Sequence, residues 1–402
     1  MPNLDLNQLL RRIPEIRLTL QPSGNYTVTV GGQTVDCSRN VIGLLEFFNT
    51  PATGQAALDA LRARLQTANE WIDLTADLLR LQQVGALYSA DDARKSGSRA
   101  FDHAHIHIAM LNDTMRTETY LAAIRAGIRP DDVVVEIGTG SGVLAIAAAL
   151  AGAKHVYAIE AGAVADAAQA NFAANGVADR VTLVRGWSNQ VTLPERGDVL
   201  ISEIIGNDPF GEGVLRFTLD ARARLLKPEA RLLPDRLRTF AQLVAMPDDF
   251  RARYTADASA ARRWHDLYGI RLDGLVGFVP DQLRAISMES RFDPQWQLVG
   301  APIPLADIDL TTARSTQVEA GGSTAFAAES TFDGVVLYFE LTLGAQVLSL
   351  QLGEHNPTNN WNYVLWLTPQ RMTLPAGTVV EVRHRTHEQV RLNVLMPQDD
   401  KQ

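Results

Sequence analysis

The sequence predicts an α/β protein in which a doubly wound parallel sheet is followed by a β-barrel, both behind a small α+β N-terminal domain. Three observations predict it. Between residues 99 and 234, short Val/Ile-rich runs ("DVVVEIG", "HVYAIE", "RVTLVRG", "DVLISEI") alternate with Ala-rich stretches, the pattern of parallel strands wound together by helices. From 235 to 402 the runs lengthen and alternate apolar with polar residues, as in "VLYFELTL" and "TVVEVRHRT", which points to antiparallel strands closing a barrel. Residues 1–90 place two strand-like runs ahead of three helical ones.

The bulk numbers bound the reading. A chain of 402 residues is long enough for two or three domains with their own cores. It has one cysteine, Cys37, so an internal disulfide framework and a cysteine-based zinc site are excluded, in keeping with a reducing compartment. There is no run of eighteen apolar residues, and "MPNLDLNQLLRRIPEIRL" lacks the basic start and apolar stretch of a signal peptide. The expectation is a cytoplasmic protein with no membrane span. A net charge of −9 argues against a nucleic-acid surface and tolerates a cationic substrate.

In the N-terminal domain, "RLTL" and "YTVTVGGQTVDC" suggest short strands around turns at Ser23-Gly24 and Gly31-Gly32. Helical segments follow near 40–49, 54–67 and 70–84. This order fits a winged-helix type of domain and resembles the PqqD-like peptide-recognition domains of peptide-maturation enzymes. Residues 1–90 carry seven Arg against eight Asp or Glu. That balance favours contact with protein over DNA, and a packing or dimerisation role stands beside it.

The first chemically specific segment is "VVVEIGTGSGVLAIAAALAG", which sets Glu136, Gly138, Gly140 and Gly142 at a strand end just before a helix. Glycines there let the backbone approach a ligand. Neither the G-x-G-x-x-G dinucleotide spacing nor a Walker lysine is present. Glu160 ends the next strand, eighteen residues after Gly142, where a carboxylate can accept both ribose hydroxyls of a nucleoside.

The succession "EIGTGSG", "AGAKHVYAIEA", "VTLVRGWSNQVTLP" and "DVLISEIIG" resembles the motifs of class I S-adenosylmethionine methyltransferases with a Rossmann-like sheet. Together with "IHIAMLNDTMRTETY", "LLPDR", "WHDLYGI" and "NPTNNW" it is most similar to the protein arginine methyltransferases, over residues 99–395. The resemblance implies a cofactor-binding domain at 99–234, a barrel at 235–402 and a dimerisation arm at about 272–288, hence a homodimer. It implies that Arg116 pairs with the cofactor's carboxylate, that Gly138 and Gly140 line its amino-acid portion, and that Glu160 takes the ribose. Ser188-Asn189-Gln190 stands where the family often has glutamates near the adenine, so the resemblance implies that an amide oxygen there accepts the adenine amino group. His107 falls on a family histidine near the active site, and Met110 on a methionine of the asymmetrically dimethylating members.

The run "VLISEIIGNDPFGEGVL" places Glu203 and Glu212 nine residues apart at the two ends of one loop. By the resemblance both hold the substrate guanidinium, with Gly206 and Phe210 in register. The chemistry agrees. A guanidinium is planar, permanently charged and offers paired N–H donors, and two carboxylates can offset its repulsion from a sulfonium while orienting one nitrogen. One departure is marked: Asn359-Asn360-Trp361 replaces the family's Thr-His-Trp, so a neutral amide stands where a histidine would order the site. Trp361 reads either as a wall of the substrate channel or as a core tryptophan. In "HAHIH", His103, His105 and His107 would share one face on a strand, but the resemblance places this segment over the cofactor and partly in a helix, so no metal is expected. The reaction implied is methyl transfer from S-adenosylmethionine to a guanidino nitrogen, with free L-arginine favoured as the acceptor. A protein or peptide arginine, recognised through the N-terminal domain, is the alternative, and a non-catalytic peptide-binding relative is the contrasting class.

Overall fold

The computed structural model describes the chain apart from residues 1–5, 8, 14–15, 31–32, 51, 63–64, 66, 90–103, 279–282, 290–295, 354–355, 357, 386–389 and 397–402. It divides into two compact units, Met1–Asp102 with Ala161–Ala163, and His103–Glu160 with Val164–Gln402. The expected turn at Gly31-Gly32 lies outside the described residues.

In the first unit, β1 (Leu9–Arg12) precedes a meander of β2 (Arg17–Leu20), β3 (Tyr26–Val30) and β4 (Gln33–Cys37). Then come α1 (Val41–Phe47), β5 (Ala52–Thr53), α2 (Gly54–Arg62), α3 (Ala68–Gln83) and β6 (Leu87–Ser89), with β5 and β6 pairing on either side of β1. Thr67 starts α3 with a capping box, its hydroxyl accepting from Glu70 N, which satisfies amides the first helical turn cannot. Leu44, Phe48, Leu74, Leu78 and Leu81 fill the core of this unit.

The second unit opens with α4 (Ala104–Asn112) and α5 (Thr114–Gly127), then alternates β7 (Val133–Ile137), α6 (Val143–Leu150), β8 (His155–Glu160), α7 (Ala165–Ala174), β9 (Val181–Arg185), β10 (Gly197–Ser202), α8 (Val214–Arg224) and β11 (Leu226–Leu233). All five strands pair in parallel in the order β11-β10-β7-β8-β9. Every residue of β7 is buried, as expected of a central strand covered on both faces. Alanines 145, 148 and 149 of α6 are fully buried, and their small side chains let the helix lie close to the sheet.

The rest of the chain is mostly antiparallel: β12 (Arg236–Ala245), α9 (Asp248–Arg251), α10 (Ala258–Tyr268), α11 (Gly274–Phe278), β13 (Arg284–Glu289), β14 (Gln297–Asp309), β15 (Glu319–Ala325), β16 (Ser330–Leu343), β17 (Gln346–Ser349), β18 (Asn362–Leu374), β19 (Val379–Arg385) and β20 (Arg391–Leu395). One sheet runs β13-β18-β16-β12-β14 with β17 added to β16, and a second runs β15-β19-β20. Ala241, Ile303, Phe332, Val335, Val380 and Val382 pack as one core between these strands. Another core runs without a break from Val134 and Ile201 of the parallel sheet to Leu237, Phe339 and Trp361, so the parallel sheet and the barrel strands share one interior. Within the segment expected to be an arm, Gly274–Phe278 is α11 and Arg284–Glu289 is a strand paired with β18. Residues 279–282 of that segment lie outside the described residues.

Candidate active site

The strand order reverses between β7 and β10. Chains leaving their carboxyl ends diverge there and open the crevice in which doubly wound sheets bind ligands. After β7 come Gly138, Gly140 and Gly142 with φ of 77°, 54° and 88°, a region that L side chains avoid. A Cβ on Gly142 would stand 2.6 Å from the Phe172 ring, and one on Gly140 would stand 3.2 Å from the His107 ring. The loop is also tied to β8. Gly138 N and Thr139 N donate to Ile159 O at 3.0 and 3.1 Å, and Gly140 N donates to Glu160 Oε2 at 2.8 Å. Glu160 is thereby fixed at the rim of the glycine loop. Beneath it Glu136 is buried and accepts from the Thr139 hydroxyl, while its Oε1 has no hydrogen-bond partner among the described residues. Burial pushes the Glu136 carboxyl up to about 8, with the Thr139 bond opposing and Glu160 adding to the shift. Beyond β9, Ser188 is buried with a hydroxyl lacking a partner among the described residues, and Asn189 beside it is exposed.

Glu203 directly follows β10, and the loop it begins contains turns but no helix or strand before α8. The loop folds back on itself: a Cβ on Gly206 would stand 3.0 Å from Glu212 Oε1, so glycine is what lets the second glutamate pack over the start of the loop. Arg116, in the first turn of α5, donates to Glu203 Oε2 and, at 3.3 Å, to Met110 O. Its guanidinium lies 5.2 Å from the centre of the Trp361 ring. Glu203 Oε1 is buried with no partner among the described residues. Burial pushes the Glu212 carboxyl up to about 7, the negative Glu203 adds to the shift, and Arg116 partly offsets it. The residue assigned from sequence to the cofactor's carboxylate is thus bonded to the first of the two glutamates.

The barrel holds this loop from the other side. Trp361 Nε1 donates to Ile205 O at 2.7 Å, and Asn362 N donates to Asn207 Oδ1 at 2.8 Å. Trp361 is buried, meets Phe339 edge-on at 5.4 Å, and also flanks Arg116, so its core and wall readings are compatible. Asn360 enters through its backbone: its N–H donates to Asp113 Oδ2 at 3.0 Å, while Asp113 Oδ1 accepts from Arg116 N at 3.2 Å. Asp113 is fully buried. It caps α5 and clasps the barrel loop with one carboxylate.

The sequence reading missed Asp113. Its signal was available, because an Asp immediately before a helical run is a capping position. The second half of the contact, with a residue 247 positions away, had none. His105 and His107 lie on α4, exposed and buried respectively, and His103 lies outside the described residues. Among the described residues no group of three or more His, Cys, Asp or Glu is placed to hold a metal ion.

Comparisons with known proteins follow the same lines. Residues 114–232 match the family model described as ribosomal protein L11 methyltransferase (PrmA). A probable histone-arginine methyltransferase CARM1 of Oryza sativa subsp. indica is 31% identical over 289 residues, covering 69% of this chain and 53% of the relative. Protein arginine N-methyltransferase 1 of Chlamydomonas reinhardtii is 36% identical over 43% of this chain and 49% of its own length. By these matches the chain is similar to class I methyltransferases and, among them, to the protein arginine methyltransferases. It spans about half the length of these curated relatives. The fold is shared with the PRMT1 enzyme–prozyme heterotetramer of Trypanosoma brucei, solved with AdoHcy, at a TM-score of 0.62, 21% identity and coverage of 75% of this chain and 96% of the other. Arabidopsis thaliana protein arginine methyltransferase 10 gives 0.61, 21%, 74% and 95%. The parallel sheet followed by barrel strands is therefore the arginine methyltransferase fold. No described helix is long and apolar enough to cross a membrane.

Proposed function

We propose that the protein is an arginine N-methyltransferase that uses S-adenosylmethionine and acts on arginine within a protein or peptide. The observation that carries this reading is the glutamate pair at the ends of one loop, with Glu203 Oε1 buried and unpartnered among the described residues and Glu212 folded back toward it. A buried carboxylate oxygen without a donor is costly, and an incoming guanidinium supplies paired donors in one plane.

The cofactor, when bound, supplies an electrophilic methyl group on a sulfonium. The residues present suit it: the glycines at 138, 140 and 142 clear its approach, Glu160 is held at the rim as a ribose acceptor, and Ser188 and Asn189 lie beyond for the adenine. Glu136 and His107 line the floor and flank of the glycine loop. Arg116 aligns Glu203 through their ion pair. Glu203 and Glu212 then offset the charge of the arginine, fix its plane and keep one nitrogen directed at the methyl-bearing face, a preorganised electrostatic contribution. Met110 and Trp361 close the substrate side around the Arg116 guanidinium. No histidine occupies position 360, so the proton lost from the methylated nitrogen does not leave through that position.

The named relatives act on histone or protein arginine, which moves the favoured acceptor from free arginine to arginine in a polypeptide. On this reading the N-terminal unit, with its meander and three helices, serves as a winged-helix-like peptide-recognition domain. The exposed Leu267, Tyr268, Ile270 and Leu275 are the contact of a homodimer. Mass spectrometry of an arginine-rich peptide and of free arginine, each incubated with protein and S-adenosylmethionine, tests the proposal. Methyl groups on the peptide arginine are expected. Methylation of neither substrate overturns it, and methylation of free arginine alone returns the acceptor to the small molecule.

A further inference from the structure

The alternation of β19 points to one residue outside the machinery described so far. Val380 and Val382 face the interior and are fully buried, Glu381, Arg383 and Arg385 face outward, and the next inward position is His384, also buried. A strand whose inward face runs Val, Val, His breaks the apolar pattern. Positions that break a local rule tend to serve something other than packing. The His384 ring stacks on Phe210, with centroids 6.0 Å apart and planes at 27°. Its Nδ1 is buried without a hydrogen-bond partner among the described residues. Burial lowers its basicity and Asp208 opposes that shift, so the neutral imidazole is favoured and the Asp208 carboxylate is the nearby charge that acts on it.

Phe210 is two residues before Glu212 and is itself buried. Around it the loop is built from short turns: Phe210 N donates to Asp208 Oδ1 at 3.0 Å, Gly211 N to Asp208 O at 2.9 Å, and Gly213 N to Phe210 O at 3.1 Å. The two barrel anchors already described, at Ile205 and Asn207, hold the half of the loop next to Glu203. The half that carries Glu212 has the Phe210–His384 stack as its aromatic contact with a barrel strand.

We propose that His384 is a positioning residue for Glu212: by stacking on Phe210 it braces the second half of the glutamate loop and so sets the affinity of the site for its guanidinium substrate. The inference rests on the arginine reading given above. An aromatic stack of this kind changes binding by roughly three- to tenfold, and the change should appear in KM and not in cofactor affinity.

The test compares His384→Ala and His384→Phe with the wild-type full chain by two independent measurements. The first is steady-state methylation of an arginine-rich peptide together with calorimetric binding of S-adenosylhomocysteine. His384→Ala is expected to raise the peptide KM roughly three- to tenfold, with cofactor affinity within about twofold of wild type. His384→Phe, which keeps the stack, restores KM. The second measurement needs no activity: hydrogen exchange at the amides of Phe210, Gly211 and Gly213 should quicken in His384→Ala and return in His384→Phe. An unchanged exchange pattern in a folded His384→Ala overturns the bracing role whatever the substrate. Equal loss of cofactor and peptide affinity also overturns it by showing a general structural defect. Absence of turnover in the wild type removes the arginine reading alone and leaves the exchange result to decide the brace.

Discussion

Oε2 of Glu203 is bonded to the Arg116 guanidinium, while Oε1 of the same carboxylate is buried with no partner among the described residues. One oxygen is committed to a fixed cation and the other is available to a second one. Breaking a buried pair by removing one charge leaves the other uncompensated, so Glu203→Gln disturbs Arg116 as well as the free oxygen. Glu212→Gln has no such partner to strand. Both variants should lower the methylation rate by roughly two to three orders of magnitude, the size of losing one preorganised electrostatic contact. Cofactor affinity should stay near wild type in Glu212→Gln and weaken modestly in Glu203→Gln. Turnover kinetics beside calorimetry checks this, and near-normal rates in either variant would mean that the pair does not grip the substrate.

The Glu212 carboxyl, pushed up to about 7 by burial and by Glu203, gives two pH dependences of opposite sign. Gripping a guanidinium requires the ionised form, so kcat/KM should rise with pH through about 7, and this limb should vanish in Glu212→Gln. Stability runs the other way. With the folded-state value above the unfolded 4.5, the folded protein holds a proton that the unfolded chain has lost between pH 4.5 and 7, so this group makes the protein less stable as pH rises through that window. Glu212→Gln should therefore be more stable than wild type at pH 8, by at most about 3 to 4 kcal/mol for the shift from 4.5 to about 7, and close to it at pH 4.5. A variant that melts lower than wild type at pH 8 contradicts the burial argument.

Glu160 accepts from Gly140 N at 2.8 Å, which ties the end of β8 to the glycine loop that follows the preceding strand, β7. Glu160→Ala removes both this tie and the proposed ribose acceptor. Binding of S-adenosylhomocysteine should weaken by about 1–3 kcal/mol, as for a hydrogen bond to a charged group. Glu160→Gln keeps the shape, loses the charge and should fall between. If calorimetry shows full affinity in Glu160→Ala, the ribose assignment is wrong.

The strands β7 to β10 were legible because each is a short run with β-branched residues ended by Gly, Glu or Ser, and a fully buried parallel strand such as β7 needs no alternation to be read. β11 was not. Its sequence "LKPEARLL" mixes Pro228 with Lys227, Glu229 and Arg231 and is exposed from Lys227 to Glu229, so it gave no strand signal and only its pairing with β10 defines it. In the candidate site, Glu203, Glu212, Glu160 and the glycines are named by motif spacing, which is local. The Arg116–Glu203 pair spans 87 positions and the Asn360–Asp113 bond 247. Contacts at that separation are set by how the sheet and the barrel strands share a core, and no window of sequence carries that information.

The last expectation concerns self-association. α10 buries only Ala260 and Ala261 and leaves Leu267 at 65% and Tyr268 at 64% exposure, while Ile270 and Leu275 after it are 58% and 46% exposed. These four large apolar residues fall within nine positions, and exposed apolar side chains in such number are what an interaction surface uses. A second exposed pair, Ile108 at 57% and Leu111 at 41%, lies on α4, and the expected dimer would use it as the receiving surface. A stable dimer needs roughly 800 Å² buried on each partner, and apolar side chains on both surfaces are the kind that supply it. The wild-type protein should therefore scatter light as a dimer at micromolar concentration. Leu267→Asp combined with Leu275→Asp should give a monomer with an unchanged melting temperature when diluted, because neither side chain supports the fold of its own chain. Ile108→Asp should do the same from the other side, with an additional fall in cofactor affinity because α4 also carries His107 against Gly140. A wild-type monomer rejects the dimer, and a Leu267→Asp/Leu275→Asp protein that remains dimeric moves the interface away from α10 and α11.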